Sequence, residues 1–263
     1  MGPARERRLW LEGVVDWDDF VPDKKTAALE GAIAEARAAL AVGDAARLAA
    51  LVPAREHWRL FAALADGAAY LDIETGDDDV AFAGISAIGF CDRHGPRLLL
   101  GGRDLALFPL LARDWSLLVT FNGLSFDVPI LRAAFPDWHP PPAHLDLRHA
   151  LARLGHDGGL KAIERRIAAL GLARPPHLDG VDGWVASSLY RRGRDGDREA
   201  LRRFAEYNLY DVVNLRTLAA HAYNELVARE AEAAPALAAR VGGVAVPGRG
   251  DVLYDVSKIL VAI

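Results

Sequence analysis

At 263 residues, with 52% hydrophobic and 25% charged residues, the chain has the size and polarity of one large domain with a substantial core, and no apolar run reaches membrane-spanning length. A single cysteine, Cys91, excludes an internal disulfide framework and a multi-cysteine zinc site, and the eight histidines show no tight ligand spacing. The net charge of -5 lacks the basic excess of many nucleic-acid binders, although carboxylates that hold cations count as negative while the cations go uncounted.

The chain opens with Gly2-Pro3, Arg5, Arg7, Arg8, Leu9, Trp10, Gly13-Val14-Val15 and Trp17-Asp18-Asp19-Phe20. No apolar secretory core is present there, so the cytoplasm is the expected compartment. The Gly-Pro hairpin, leucine, glycine and closing Asp-Phe resemble the second half of a helix-hairpin-helix element, which docks on DNA backbones through its hairpin amides. The first helix of that element is missing, and a small helical cap packed on the main domain is the alternative. Over residues 26–42, Leu29, Ile33, Ala36 and Leu40 recur near a helical period in alanine-rich sequence, predicting a helix that Gly43-Asp44 ends. Further helices are predicted over 45–51 and, after Pro53, over 55–64 with Trp58, Leu60, Phe61 and Leu64. Residues 1–67 thus read as a helical lead-in with few bulky residues of its own.

After Asp66-Gly67 the pattern changes to strands over 69–73, 81–91 and 97–100, separated by turn signals at 76–79 and His94-Gly95-Pro96. Residues 103–112 suit a helix and 117–120 a buried strand. A helix is predicted over 126–135, with Pro129 in its first turn where proline is tolerated, then a strand over 143–145 leading through Asp146 into another helix. Three antiparallel-looking strands followed by alternating helix and strand predict a mixed α/β sheet flanked by helices, not a doubly wound dinucleotide fold. No Gly-x-Gly-x-x-Gly or Gly-Lys-Ser/Thr loop follows a strand. A last long helix runs from about 197 to 231, with Leu201, Phe204, Val212, Leu215, Ala219, Ala222 and Leu226 as its core stripe. Pro235 restarts a short helix before a tail over 241–263.

Chemistry-bearing residues fall in three stretches. Tyr70-Leu71-Asp72-Ile73-Glu74-Thr75 places Asp72 and Glu74 at i and i+2, on one face of a strand's end. Two adjacent carboxylates there sit either in a solvated turn or around a cation, and hard oxygen ligands suit magnesium or manganese. In Phe121-Asn122-Gly123-Leu124-Ser125-Phe126-Asp127-Val128-Pro129-Ile130-Leu131 a buried strand ends in an Asn-Gly turn, and Asp127 enters a helix as a dipole-favoured N-terminal acid or as a ligand too. Tyr207, Asp211 and Asn214 share one face of the last helix, distinct from the apolar stripe.

In this order, Asp-x-Glu, Asn-x-x-x-Phe-Asp and Tyr-x-x-x-Asp resemble the three motifs of the DEDD exonucleases. The tyrosine marks the DEDDy branch; a histidine-type site would place histidine where Glu206 stands. Phe-Asp-Val-Pro-Ile-Leu is similar to the proofreading exonucleases of B-family DNA polymerases. The fullest resemblance is to YprB-type ribonuclease-H-like exonuclease domains, over roughly residues 1–225. Besides the motifs it is carried by Arg55-Glu56-His57-Trp58-Arg59-Leu60-Phe61, His144-Leu145-Asp146-Leu147, Gly159-Leu160-Lys161-Ala162-Ile163-Glu164 and Tyr207-Asn208-Leu209-Tyr210-Asp211-Val212-Val213-Asn214-Leu215.

The resemblance implies a ribonuclease-H-like mixed five-stranded sheet with an N-terminal helical extension, and a metal-dependent 3'-5' exonuclease acting on DNA or RNA at a single-stranded 3' end. Hydrolysing a phosphodiester needs a nucleophilic hydroxide at neutral pH and compensation for the charge on the phosphate, which two cations about 3.5 to 4 Å apart supply. By resemblance these are two divalent cations, Mg2+ or Mn2+, with Asp72 bridging both, Glu74 and Asp211 completing the first and Asp127 supporting the second. Tyr207, with an ordinary pKa of about 10, would position the attacking water and leave the acidifying to the metal.

Thr75 would present its amide or hydroxyl to the 3' end, Asn122 would bond the motif loop or the terminal nucleotide, and Asn214 completes the substrate-side candidates. Asp146 reads as a helix N-cap in preference to a metal ligand, and the acidic 77–79 loop as solvent-exposed. Arg191, Arg192, Arg194, Arg198, Arg202 and Arg203, and Lys161, Arg165 and Arg166, are two basic groups that either track a nucleic-acid backbone or form solvated faces. The expected organisation is a lead-in over 1–67, a catalytic domain over 68–230 and a C-terminal helix and tail over 231–263, with no membrane partner and the oligomeric state open. Two other classes remain open: a ribonuclease-H-like nucleic-acid-binding module with weak or no turnover, and an interaction scaffold built on the lead-in and the tail.

Overall fold

Eight residues, Ala68–Thr75 (β1), run through the middle of a five-stranded sheet. The computed structural model describes residues 2–23, 27–76, 82–234, 237, 240 and 242–248; the 77–79 acidic loop, the helix restart at Pro235 and most of the 241–263 tail lie outside them. Strands Ile85–Asp92 (β2), Gly95–Leu100 (β3), Leu117–Thr120 (β4) and Ala143–Asp146 (β5) complete the sheet in the order β3-β2-β1-β4-β5. The β1/β2 and β2/β3 pairs are antiparallel, and β1/β4 and β4/β5 are parallel. This is the expected mixed, ribonuclease-H-like sheet: a short turn joins β2 to β3 in the antiparallel half, and crossovers carry the chain between the parallel strands.

The helices are Pro3–Leu11 (α1), Ala27–Val42 (α2), Ala45–Leu51 (α3), Phe61–Leu64 (α4), Phe108–Leu111 (α5), Asp127–Ala134 (α6), Leu147–Arg153 (α7), Leu160–Arg166 (α8), Gly183–Arg194 (α9) and Arg198–Ala233 (α10). Alternation along β1 decides which face each residue serves. Ala69, Leu71 and Ile73 pack with Ile88, Phe90, Phe108, Trp115, Leu131 and Trp138 on one side of the sheet. Ala68 and Tyr70 point to the other side, where α10 crosses β1, β2 and β3 and carries α9 on its outer flank. Asp72 and Glu74 continue that second series, so period two delivers both carboxylates to α10.

Several expectations need correction. The second strand begins at Ile85, not at 81, because Ala83 (φ 53) and Gly84 (φ 74) adopt left-handed backbone that no strand accommodates. The helix expected over 55–64 is a 3-10 helix, Ala54–Leu60, followed by the single turn α4. The one expected over 103–112 is a 3-10 turn, Leu105–Leu107, followed by α5, with Pro109 at its start. Asp104 bends the chain there by accepting the Leu100 amide at 2.6 Å. The helix α9 was not anticipated as an element. On α10 the polar set does not form a face apart from the core: Tyr207, Asp211 and Asn214 are all buried, because the sheet encloses the helix on one side and neighbouring helices on the other.

The lead-in does not stand alone. Leu48, Trp58, Phe61 and Leu64 join the same core cluster as Tyr70, Leu145 and Tyr223, each large side chain worth about 1.5–3 kcal/mol of burial. His57 pins it: its Nε2 lies 3.3 Å from the Ala49 carbonyl and its Nδ1 accepts the His144 amide of β5 at 3.2 Å. Arg59 adds ion pairs to Glu6 of α1 at 3.1 Å and to Glu230 of α10 at 2.7 Å.

Candidate active site

The end of β1 and the middle of α10 form the centre. Asp72 lies opposite Gly89 of β2 and Glu74 opposite Ala87, and a register shift follows between Glu74 and Thr75. Small residues across the ladder leave room for the helix. A Cβ on Gly89 would lie 1.7 Å from Asn208 Oδ1, so the glycine is what lets Asn208 reach the strand and donate from Nδ2 to Asp72 Oδ2 at 3.0 Å. One turn further along α10, Asp211 meets the pair: carboxylate oxygens of Asp72, Glu74 and Asp211 lie within 4.8 Å of one another.

Asp127, 2% exposed at the start of α6, approaches from the β4 side. Its Oδ1 accepts the amide of Ile73 at 3.0 Å, which ties the second motif to the strand between Asp72 and Glu74. Its charge reaches the cluster, although its oxygens are not part of the mutually close set. Tyr207 lies along the same helical face, and Lys161 of α8 donates to its hydroxyl while its ammonium stands 4.1 Å from the ring centroid. With its oxygen accepting from an ammonium, the phenol retains its hydrogen for an acceptor in the cleft.

A buried cation completes the set. Arg174 donates Nε to Glu164 Oε2 at 2.9 Å and Nη2 to Glu164 Oε1 at 2.8 Å, and Nη2 also reaches Asp211 Oδ1 at 2.5 Å. Asn214 braces the far side by donating to Glu164 Oε1 at 2.9 Å and to the Leu172 carbonyl at 3.3 Å. Asn214 is therefore engaged inside the core and does not face the cleft.

The electrostatics follow from this crowding. Burial, then the charges of Asp211, Asp127 and Glu74, hold the Asp72 carboxyl well above its ordinary range. Burial and Asp211 raise Glu74 to about 8, and burial raises Asp127 to about 7 against the pull of the Ile73 amide. Burial and the charges of Asp211, Glu74 and Asp72 push the Tyr207 phenol above its usual value, so it is neutral at pH 7. Burial opposes the Arg174 charge, but Asp211 and Glu164 outweigh it and the guanidinium stays ionised. Carboxylates that repel this strongly are stabilised in their charged form by a cation, and Arg174 offsets only part of the charge on one of them. A hard divalent cation thus fits the donor set: oxygen ligands only, mutually close, from three carboxylates.

A cleft of about 280 Å³ opens over the cluster, walled by Thr75, Phe121, Phe126, Leu160, Lys161, Gly183 and Ser187 besides the acids. Thr75 borders it and is fixed through its carbonyl, which accepts from Ser187 Oγ at 2.9 Å. Asn122 occupies left-handed backbone (φ 69), and its Oδ1 accepts from Arg148 Nη1 at 2.7 Å. Asp146 caps α7 through the Arg148 amide at 3.1 Å and also accepts the amides of Asn122 at 2.8 Å and Leu124 at 3.1 Å. It organises the second-motif loop, as a cap and not as a member of the acidic cluster. Much of the first basic group is neutralised locally, with Arg192 on Asp197 and Arg202 on Glu199 and Glu206.

Sequence reasoning did not single out Asn208, Glu164 and Arg174, nor the contact between Lys161 and Tyr207. Asn208 follows Tyr207 directly in the chain, but its bond to Asp72 depends on Gly89 of a neighbouring strand, which no helical period reports. Glu164 closes the Gly159–Glu164 stretch quoted above without a role assigned to it, and Arg174, ten residues further on, lies in no motif. The central strand of this α/β sheet thus ends in a cluster of carboxylates that could hold a metal ion. A family model described as the RNase_H superfamily matches residues 69–223, more than half of the chain, and the protein belongs to that superfamily. Searches of curated proteins and of solved structures found no match. The superfamily implies nuclease chemistry on a nucleic-acid substrate and the use of divalent metal ions.

Proposed function

We propose that the protein is a DEDDy-type 3'-5' exonuclease that hydrolyses phosphodiester bonds at a single-stranded nucleic-acid end with two divalent cations, Mg2+ or Mn2+. The observation that carries the reading is the convergence of Asp72, Glu74 and Asp211 within 4.8 Å beneath Tyr207 in an RNase H fold. Asp72, Glu74 and Asp211 would hold the cations, with Asp127 in support. When bound, the cations acidify water and offset charge on the phosphate.

The chain's own residues do the rest. Asn208 and the Ile73 amide hold Asp72 and Asp127 in register, and Arg174 fixes the orientation of Asp211. Tyr207, neutral and with its oxygen engaged by Lys161, donates its hydrogen towards the cleft and orients the attacking water or a phosphate oxygen. Thr75, Phe121 and Phe126 wall the cleft beside the acids, where they would meet the terminal nucleotide.

The direct test is incubation of purified protein with 5'-labelled single strands and Mg2+ or Mn2+. Stepwise shortening from the 3' end that disappears with chelator and in Asp72→Ala is expected. No metal-dependent shortening, or shortening that survives Asp72→Ala, would sink the proposal.

A further inference from the structure

Asp211 reaches the acidic cluster with one of its oxygens already taken. Arg174 donates Nη2 to Asp211 Oδ1 at 2.5 Å, and both side chains are buried, where a charge-assisted hydrogen bond is strongest. Arg174 is itself locked from behind. Its Nε and Nη2 grip both oxygens of Glu164 at 2.9 and 2.8 Å, and Asn214 donates to Glu164 Oε1 at 2.9 Å. Nη1 is buried with no hydrogen-bond partner among the described residues, so Glu164 and Asp211 set where the planar head lies. The neighbouring acids are held differently: Asp72 Oδ2 accepts from the Asn208 amide at 3.0 Å, and Asp127 Oδ1 accepts from the Ile73 amide at 3.0 Å. Those bonds are longer and their donors uncharged, so of the three carboxylates Asp211 is the least free to turn.

A carboxylate binds a cation through one oxygen or chelates it through both, and cations differ in which they demand. Mg2+ holds a near-ideal octahedron of single oxygens at about 2.0–2.1 Å, and Mn2+ suits the same kind of oxygen set. Ca2+ is larger, takes roughly six to eight oxygens at about 2.3–2.6 Å and commonly chelates a carboxylate. With Oδ1 facing Arg174, Asp211 has Oδ2 alone to offer. Turning the group to chelate would bend or break its buried bond to the guanidinium.

We propose that Arg174, held in place by Glu164, makes Asp211 a one-oxygen ligand and thereby biases the acidic site towards Mn2+ and Mg2+ and against Ca2+. Arg174 is a positioning residue, acting through Asp211 and not by touching the cation. The inference rests on the metal-site reading above and adds which cations the site prefers and what sets the preference.

The test is isothermal titration of MnCl2 and of CaCl2 into the full chain without nucleic acid, for the wild type, Arg174→Lys and the double variant Arg174→Gln/Glu164→Gln, each variant used once it shows a single melting transition. Lysine keeps the charge without the planar fork, and the double variant removes charge and fork together without stranding Glu164. Both ions carry the same charge, so the ratio of their dissociation constants cancels the electrostatic effect of losing the guanidinium and reads the geometry of Asp211. The wild type is expected to bind Mn2+ about tenfold more tightly than Ca2+, the usual weight of a group that orients a metal ligand, and both variants to lose most of that preference. No preference in the wild type overturns the proposal, whether or not the variants fold. An equal weakening of both ions in the variants also overturns it, since a purely structural Arg174 would give that result. If the preference is lost as expected but the wild type shortens no strand with Mn2+, the nuclease reading fails and the cation selectivity stands. If strands are shortened and the variants keep the preference, the selectivity fails alone; a wild type that binds neither ion overturns both.

Discussion

Gly89 sets how closely α10 can approach β1. With only hydrogen at that position Asn208 reaches Asp72; a methyl group there would lie 1.7 Å from the Asn208 oxygen, so the Asn208 side chain must leave its place or the helix must move. Gly89→Ala is expected to destabilise the protein by about 1–3 kcal/mol, the usual cost of overpacking, and to weaken Mn2+ binding; urea melts and calorimetric titration read the two effects. Arg174 acts by charge where Gly89 acts by space. Its side chain is 8% exposed between Glu164 at 4% and Asp211 at 6%, so removing it strands two buried carboxylates. Arg174→Gln should cost about 3–5 kcal/mol, while the double variant Arg174→Gln/Glu164→Gln should cost clearly less than the sum of the singles. Additive costs in urea unfolding would show that the pair is not coupled.

Among elements, β5 carries the most informative side chain. His144 bonds Thr120 across the sheet, Nε2 to Oγ1 at 2.8 Å, and its backbone amide is held by His57 from the lead-in. Burial lowers the His144 pKa from 6.5 to about 4, against the opposing charge of Asp146. The folded state therefore favours the neutral ring. Above pH 6.5 the ring is neutral in both states and nothing changes; as pH falls from 6.5 towards 4 the unfolded chain takes up the proton first, and stability is lost. The full loss is on the order of 3 kcal/mol, of which about 2 kcal/mol should be gone by about pH 5. His144→Gln, which keeps a hydrogen-bonding group without titrating, should flatten that slope in unfolding measurements between neutral and mildly acidic pH. An equal slope in the variant would place the acid sensitivity elsewhere.

At the scale of the whole molecule, the proposed cation site would link folding to cations. Burial and repulsion among Asp72, Glu74 and Asp127 oppose the folded state while they are charged, and any cation bound only by the native site stabilises it. Mn2+ at about a hundred times its dissociation constant should add about 2.7 kcal/mol, seen as a rise in melting temperature that chelator reverses and Asp211→Asn abolishes. No change in melting temperature up to millimolar Mn2+ would argue against a built cation site. The lead-in packs into the same core, where Trp58 and Phe61 meet Tyr223 of α10.

Pattern alone determined a good deal here. Period two along 69–73 placed Asp72 and Glu74 on one face, the Asn-Gly turn located Asp127, and the four-residue spacing of Tyr207 and Asp211 put both on one side of a helix, because strand and helix geometry act over a few residues. The mixed sheet was legible for the same reason, from short turns followed by alternating elements. Boundaries were less so: the left-handed pair Ala83 and Gly84 cut a strand that hydrophobicity extended, and Asn214 looked like a site residue until the packing around α10 enclosed it. Tertiary structure decided what long-range contacts decide. Asp146 became the organiser of a loop more than twenty residues away, Asn208 reached Asp72 only because β2 offers a glycine, and Arg174 met Asp211 across 37 residues of chain. Such partners carry no local period, since their proximity is created by the packing of elements and not by the spacing of residues.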